Sequence, residues 1–116
     1  MAIDGEVHRV LVVFRSPPAL MALSSQDGRV AAKIETCGDA DDVFVDAKRR
    51  RVYVSCGEGV VDVMEQGETG YRHLARVPTV SGARTSLFVP ELDRLFVAVR
   101  ARSGEPAAIW VFRPLP

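Results

Sequence analysis

The fold is decided by the stretch Arg51-Val52-Tyr53-Val54-Ser55, which the chain repeats as Arg9-Val10-Leu11-Val12-Val13 and as Arg94-Leu95-Phe96-Val97-Ala98. Each copy places a cation before a run of apolar residues rich in β-branched and aromatic side chains, and the copies start 42 and 43 residues apart. Such residues favour extended strands, and a fixed period of this length indicates one supersecondary unit per copy. The sequence therefore predicts three similar units in a row.

Turn residues divide each unit into several strands. A polar turn precedes each anchor stretch and a loop containing Gly or Pro follows it, as in Gly57-Glu58-Gly59. Ten strands are predicted, and Met1-Ala2-Ile3 are the only residues available for an eleventh. The third unit ends at Pro114-Leu115-Pro116 without a fourth strand.

The period-two pattern separates inner strands from outer ones. The first anchor strand is apolar on both sides, with Val10, Val12 and Phe14 on one and Leu11 and Val13 on the other, as burial between two sheets requires. No long segment shows the apolar stripe of a helix. We therefore predict an all-β chain of β-propeller blades, each with four antiparallel strands.

The predicted blades form a single partial propeller domain, residues 1–116. Their approximate bounds are 1–38, 39–81 and 82–116, and the third blade lacks its outer strand.

The middle unit resembles the YVTN-type β-propeller repeat, a relative of the NHL type. The resemblance rests on Tyr53-Val54-Ser55-Cys56, on Gly57, and on the strand Val60-Val61-Asp62-Val63; Ser55 and Cys56 replace Thr and Asn of the family pattern. It implies a rigid, many-bladed binding platform of a typically bacterial and often exported kind. Some similar propellers are enzymes or hold redox cofactors.

Slightly fewer than three blades cannot close a ring, which takes about four to eight. An open end would expose a large apolar flank, so we expect the chain to associate with itself, most simply as a dimer with a six-bladed ring. The alternative is that the chain is a fragment of a longer propeller. Junction contacts are predicted at Ile3, Val10, Val12, Leu95, Trp110 and Phe112.

Charge and hydropathy argue against several partners. Fifteen basic and fifteen acidic residues give no net charge, so we predict neither nucleic-acid nor membrane binding. No apolar run approaches the roughly 20 residues that cross a bilayer. The first residues lack the features of a signal peptide, and the localisation is left open.

One face of the predicted propeller carries most of the candidate chemistry. The loops after each second strand and the connections between blades emerge there, with Asp39, Asp41, Asp42, Arg84 and Thr85 as candidate ligand-binding residues. The three aspartates lack the spacing of a calcium loop, so no metal site is predicted. Asp42 and Thr85 precede first strands, where a turn role is expected, and Arg84 is expected to be solvated or ion-paired.

Other reactive residues do not form a recognisable catalytic motif. We expect Cys37 and Cys56 to be free thiols, with a disulfide as the alternative. His8 and His73 occupy different strand positions, no serine has a nucleophile motif, and no cofactor is predicted. The basic run Lys48-Arg49-Arg50-Arg51 is expected to solubilise its hairpin.

The leading functional hypothesis is a non-catalytic propeller module that presents its loop face to a protein or a small molecule. The alternative is part of a propeller enzyme, either a lactonase-like hydrolase or a quinone- or haem-linked oxidoreductase, with a site near the axis. A third possibility is a repeat whose role is assembly alone.

Overall fold

The computed structural model describes all residues, Met1–Pro116, and it confirms the all-β prediction. The only helical segment is a 3-10 turn at Pro90–Leu92, and no helix is long and apolar enough to span a membrane. Eleven strands follow one another: β1 Ala2–Asp4, β2 Arg9–Arg15, β3 Pro18–Ser24, β4 Val30–Glu35, β5 Ala40–Asp46, β6 Arg51–Cys56, β7 Val60–Gln66, β8 Tyr71–Pro78, β9 Ser86–Val89, β10 Arg94–Val99 and β11 Ala108–Phe112.

The strands form three antiparallel meanders in chain order. The first sheet is β1-β2-β3-β4, the second is β5-β6-β7-β8 and the third is β9-β10-β11. Arg9, Arg51 and Arg94 each begin the second strand of their sheet, as the repeat predicts. The N-terminal residues do supply an eleventh strand, in which Ala2 pairs with Leu11 and Asp4 with Arg9.

Apolar side chains between neighbouring sheets make up the core. Leu11, Leu20, Val54 and Met64 are among the residues buried between the first and second sheets. Tyr53, Phe88 and Val97 are among those buried between the second and third sheets. The second sheet is therefore covered on both sides, which explains why its second strand is buried throughout after Arg51.

Each sheet has one face towards the preceding sheet and one face towards the following sheet, and equivalent residues form these faces at both junctions. Val54 packs towards the first sheet and its counterpart Val97 packs towards the second, so this side of each sheet meets the preceding sheet. Leu20 and Val61, which occupy equivalent places on third strands, lie on the other side and meet the following sheet. The repeat in sequence is thus also a repeat in packing.

The outer two faces remain uncovered. On the first sheet they expose Ile3, Phe14 and Val30, and on the third sheet Leu87, Ile109 and Val111. Ile109 is the counterpart of Leu20 and Val61, yet it is 60% exposed whereas they are buried.

The predicted junction residues of the third sheet were assigned to the wrong side. Leu95 is buried against the second sheet, and Trp110 and Phe112 pack around the same cluster. They share the side of Val97, because Leu95 pairs with Phe112 and Val97 with Trp110. The predicted contacts of Ile3, Val10 and Val12 do lie on the uncovered face of the first sheet.

A polar network joins the second and third sheets at the face opposite the candidate loops. Asp46 accepts hydrogen bonds from Tyr53 at 2.5 Å and from Arg49 at 3.1 Å. Arg49 also contacts Asp93 at 3.0 Å, and Lys48 contacts Asp93 at 3.3 Å. Arg49 of the basic run is therefore nearly buried and links two sheets, a role that was not predicted for it, while Lys48 and Arg50 are exposed.

The network also shifts two titrations. Hydrogen bonds from Arg49 and then Lys48 lower the pKa of Asp93 to about 2. Burial, and then the hydrogen bond to Asp46, raise the pKa of the Tyr53 phenol above its ordinary value. The network therefore favours an ionised Asp93 and a neutral Tyr53.

We expect an Asp93→Asn variant to melt at a lower temperature than the wild type at neutral pH. Folding lowers the pKa of Asp93 from 3.8 to about 2, so its carboxylate stabilises the fold above this range and loses that effect as the pH falls through it. The difference in Tm should therefore shrink across the same range. Thermal denaturation followed by circular dichroism measures this.

Glu91→Gln is the control, because Glu91 is exposed and makes no ion pair. A constant difference in Tm between Asp93→Asn and the wild type down to a pH of about 2 would contradict the assignment.

Candidate functional site

The loops of the candidate face are hydrogen-bonded to one another. The Gly57 N–H donates to the Asp39 carbonyl at 2.8 Å, and the Gly82 N–H donates to the Gly57 carbonyl at 2.7 Å. The Gly38 N–H donates to the Glu58 carboxylate. The connections into the second and third sheets are thereby fixed against the loop that follows β6.

Asp39 is the centre of a charged cluster that spans all three sheets. Its Oδ2 accepts hydrogen bonds from Arg84 Nε at 2.9 Å and from Arg84 Nη2 at 2.6 Å. Its Oδ1 lies 3.5 Å from Arg15 Nε, and Arg15 Nη2 lies 2.6 Å from Asp41 Oδ1. The structure therefore brings together Asp39, Asp41 and Arg84 of the candidate residues, and adds Arg15.

The cluster is partly open to solvent. The Arg15 side chain is 58% exposed, and the other three are about one-third exposed. The hydrogen bond to Asp41, and then the charge of Asp39, raise the pKa of Arg15. Two cations alternate with two carboxylates, so both signs of charge lie within a short distance on this surface.

Asp42 and Thr85 do not join the cluster. The Asp42 carboxylate accepts a hydrogen bond from the Ser86 N–H at 2.9 Å and so fixes the start of β9 to β5. Thr85 contributes its carbonyl, which accepts from the Ala98 N–H at 2.9 Å. Both contacts are structural, but neither is a turn contact, because Asp42 lies within β5 and reaches another sheet, and Thr85 extends the pairing of β9 with β10.

Gly57 is a site residue that sequence reasoning did not single out for this purpose. A Cβ at this position would lie 1.9 Å from Asp39 Oδ2 and 2.9 Å from Arg84 Nη2. A side chain would therefore displace the ion pair. Gly57 occupies the position of the repeat at which the other two units carry Arg15 and Arg100. A glycine in place of these arginines was the sequence signal that could have identified this position.

Cys37 and Cys56 form a disulfide, so the expectation of free thiols is wrong. Their Cα atoms lie 5.9 Å apart, and both residues are buried between the first and second sheets. Cys37 belongs to the connection between β4 and β5, whereas Cys56 ends β6. The pairing of β5 with β6 brings these positions together, because Ala40, three residues after Cys37, pairs with Cys56.

Asp62 is a buried acidic residue next to the disulfide, between the first and second sheets. It is fully buried, and its Oδ2 accepts a hydrogen bond from the Cys37 N–H at 3.0 Å. His73 Nδ1 lies 3.2 Å from Asp62 Oδ1, and Arg76 Nη2 lies 3.7 Å from Oδ2. His73 therefore serves this structural network rather than the loop face.

The remaining candidates do not form a catalytic group. The Ser55 and Ser86 hydroxyls lie 2.7 Å apart, and Ser55 Oγ also donates to the Arg84 carbonyl at 2.6 Å. No three of the His, Cys, Asp and Glu side chains are arranged to hold a metal ion. The four charged side chains of the Asp39 cluster are instead paired with one another.

No protein-family model matches the chain, and neither does any curated protein. The likeness to the YVTN-type repeat thus remains a resemblance of the residues around Tyr53 and Gly57.

We expect Asp42→Ala and Asp41→Ala to separate structural from surface carboxylates. Asp42→Ala removes the acceptor of a partly buried backbone N–H and should lower the free energy of unfolding by about 1–2 kcal/mol. Asp41→Ala removes an exposed ion pair and should cost no more than about 1 kcal/mol. Urea denaturation measures both, and a larger cost for Asp41→Ala would reverse the assignment.

Removing the disulfide should destabilise the chain strongly. The bond joins residues 19 positions apart, so the double variant Cys37→Ala, Cys56→Ala should lose about 3 kcal/mol of unfolding free energy. The native wild type should show no thiol that reacts with Ellman's reagent. Two reactive thiols in the native protein, with no loss of stability in the double variant, would contradict the pairing.

Proposed function

We propose that the chain is a non-catalytic binding and scaffolding module of β-propeller type, and that two copies close a ring of six blades. The observation that carries this proposal is the repeated junction between sheets. The uncovered face of the first sheet is equivalent to the face by which the second and third sheets each pack on the sheet before them. The uncovered face of the third sheet is equivalent to the face by which the first and second sheets each pack on the sheet after them. The two faces are therefore complementary halves of one contact.

Side chains on these faces support a second copy as the partner. Ile3 corresponds to Phe88, which is buried at the second junction, and Ile109 corresponds to the buried Leu20 and Val61. A contact between the third sheet of one copy and the first sheet of another would repeat the packing already present twice within the chain. A dimer with two such contacts leaves neither face exposed.

The loop face is the proposed binding surface of the ring. Asp39, Asp41, Arg84 and Arg15 offer exposed charges of both signs on loops that the sheets hold rigidly. This arrangement suits a polar ligand or a protein surface with complementary charges. Because the charged groups are paired with each other and no histidine lies among them, it favours binding over the enzymatic alternative.

We expect the wild type to be a dimer at micromolar concentration and Ile3→Asp and Ile109→Asp each to be monomeric. Both residues are well exposed within one copy, so the substitutions should leave its fold intact. Each puts a charge into the proposed contact between the first and third sheets. Sedimentation velocity and light scattering measure the mass.

Leu92→Asp is the control, because Leu92 is exposed on the 3-10 turn and lies on neither face. If only one of the two isoleucine variants dissociates, the contact joins identical faces and the six-bladed ring is wrong. A monomeric wild type would instead favour the alternative in which further blades come from a longer chain.

A further inference from the structure

The connection between β10 and β11 is the longest of those that follow a second strand. It spans residues 100–107, whereas the connection after β2 spans residues 16–17 and the connection after β6 spans residues 57–59. Two backbone hydrogen bonds of 2.9 Å, one in each direction between Arg102 and Glu105, close its tip. All its residues are exposed, so the connection is an ordered hairpin on the loop face with free side chains.

Arg100 and Arg102 are the cations of this hairpin, and neither has a carboxylate partner. The ion pairs of the loop face are those of the Asp39 cluster, which does not include them. The Arg100 guanidinium lies against Gly82, where a Cβ would be only 2.9 Å from its Nη2. Arg100 and Thr85 line the same surface depression. The free charge of Arg100 is therefore placed beside the connection that enters the third sheet.

The equivalent position of the first unit already binds an acidic segment. Arg15 and Arg100 each lie six residues after the anchor arginine of their unit. Arg15 contacts the carboxylate of Asp39 at 3.5 Å and that of Asp41 at 2.6 Å. Arg100 therefore repeats a position that, within this chain, binds two aspartates separated by one residue.

We propose that Arg100 and Arg102 bind an acidic segment of a partner protein, in which two aspartates are separated by one residue. Residues two apart in an extended chain are about 6–7 Å apart, so each arginine can meet one carboxylate of such a segment. Charge-assisted hydrogen bonds between guanidinium and carboxylate groups supply the affinity. This inference names the partner of the loop face, and it therefore rests on the proposed function.

The exposure of the hairpin favours a protein segment over a small dicarboxylate. A small-molecule site encloses most of its ligand, whereas Arg100 and Arg102 lie on an open surface. The position stays reachable when another sheet packs beside it, because Arg15 is 58% exposed at the junction of the first two sheets. The hairpin precedes β11, so it lies at the opposite end of that strand from Arg113.

The test uses the blocked peptide Gly-Asp-Ala-Asp-Gly with a fluorescent label, and its anisotropy is measured as protein is added. At low ionic strength we expect saturable binding with a Kd below about 1 mM, and the affinity should fall as salt is added. The matched peptide Gly-Asn-Ala-Asn-Gly should show no saturation over the same range, because it lacks both carboxylates.

Arg100→Gln and Arg102→Gln should each weaken binding by about tenfold, because each removes a charge-assisted hydrogen bond from an exposed position that does not support the fold. Glu105→Gln should strengthen binding by about twofold, since it removes a carboxylate from the hairpin. Arg113→Gln is the control, an exposed arginine at the other end of β11, and should leave the affinity within about twofold.

Three results would overturn the inference. The first is a lack of saturation up to about 1 mM peptide. The second is equal weakening by Arg100→Gln and Arg113→Gln, which would show general attraction to positive charge. The third is displacement of the peptide by an equal concentration of succinate, which would make the occupant a small dicarboxylate.

The inference and the proposed function fail separately. Weakening by Arg15→Gln but not by Arg100→Gln would keep the loop face as the binding surface and overturn the hairpin as its site. The mass of the wild type and of the isoleucine variants decides the six-bladed ring, whatever the peptide does.

Discussion

Apolar packing between consecutive sheets is the interaction on which the rest of the structure depends. Each sheet is a simple meander that is too thin to bury its own side chains, so its stability comes from the neighbour against which it lies. The second sheet has a neighbour on both sides and holds the most deeply buried strand, β6. The outer sheets have one neighbour each, which leaves two apolar faces on a small chain.

Polar contacts fix how the sheets are set against each other, because apolar packing alone has little directional preference. Asp39 and Arg84 tie the loops together at one face of the molecule, and Arg49 joins Asp46 to Asp93 at the opposite face. These contacts lie at both ends of the strands. These two sets of contacts therefore fix the relative orientation of the second and third sheets, and with it the positions of Asp39 and Arg84 in the loop cluster.

Local patterns in the sequence predicted the strands and their order, because alternation and turn residues act over a few positions. They did not predict which apolar side of a strand meets the preceding sheet, since Leu95 and Phe96 are both suited to burial. The contact of Asp39 with Arg84 likewise depends on how separate sheets pack, whereas Cys37 meets Cys56 through the pairing of β5 with β6. Asp42 shows the same limit, because it lies within β5 and its carboxylate accepts a hydrogen bond from the Ser86 N–H at the start of β9.

The covalent cross-link closes a loop within the second sheet. Cys37 stands three residues before Ala40, which pairs with Cys56, so the closed loop contains β5, β6 and the hairpin between them. The first and third sheets are attached to this hairpin by apolar packing, hydrogen bonds and ion pairs. The cross-link therefore restricts the unfolded chain only in its middle third, and the two outer sheets depend on non-covalent contacts with it.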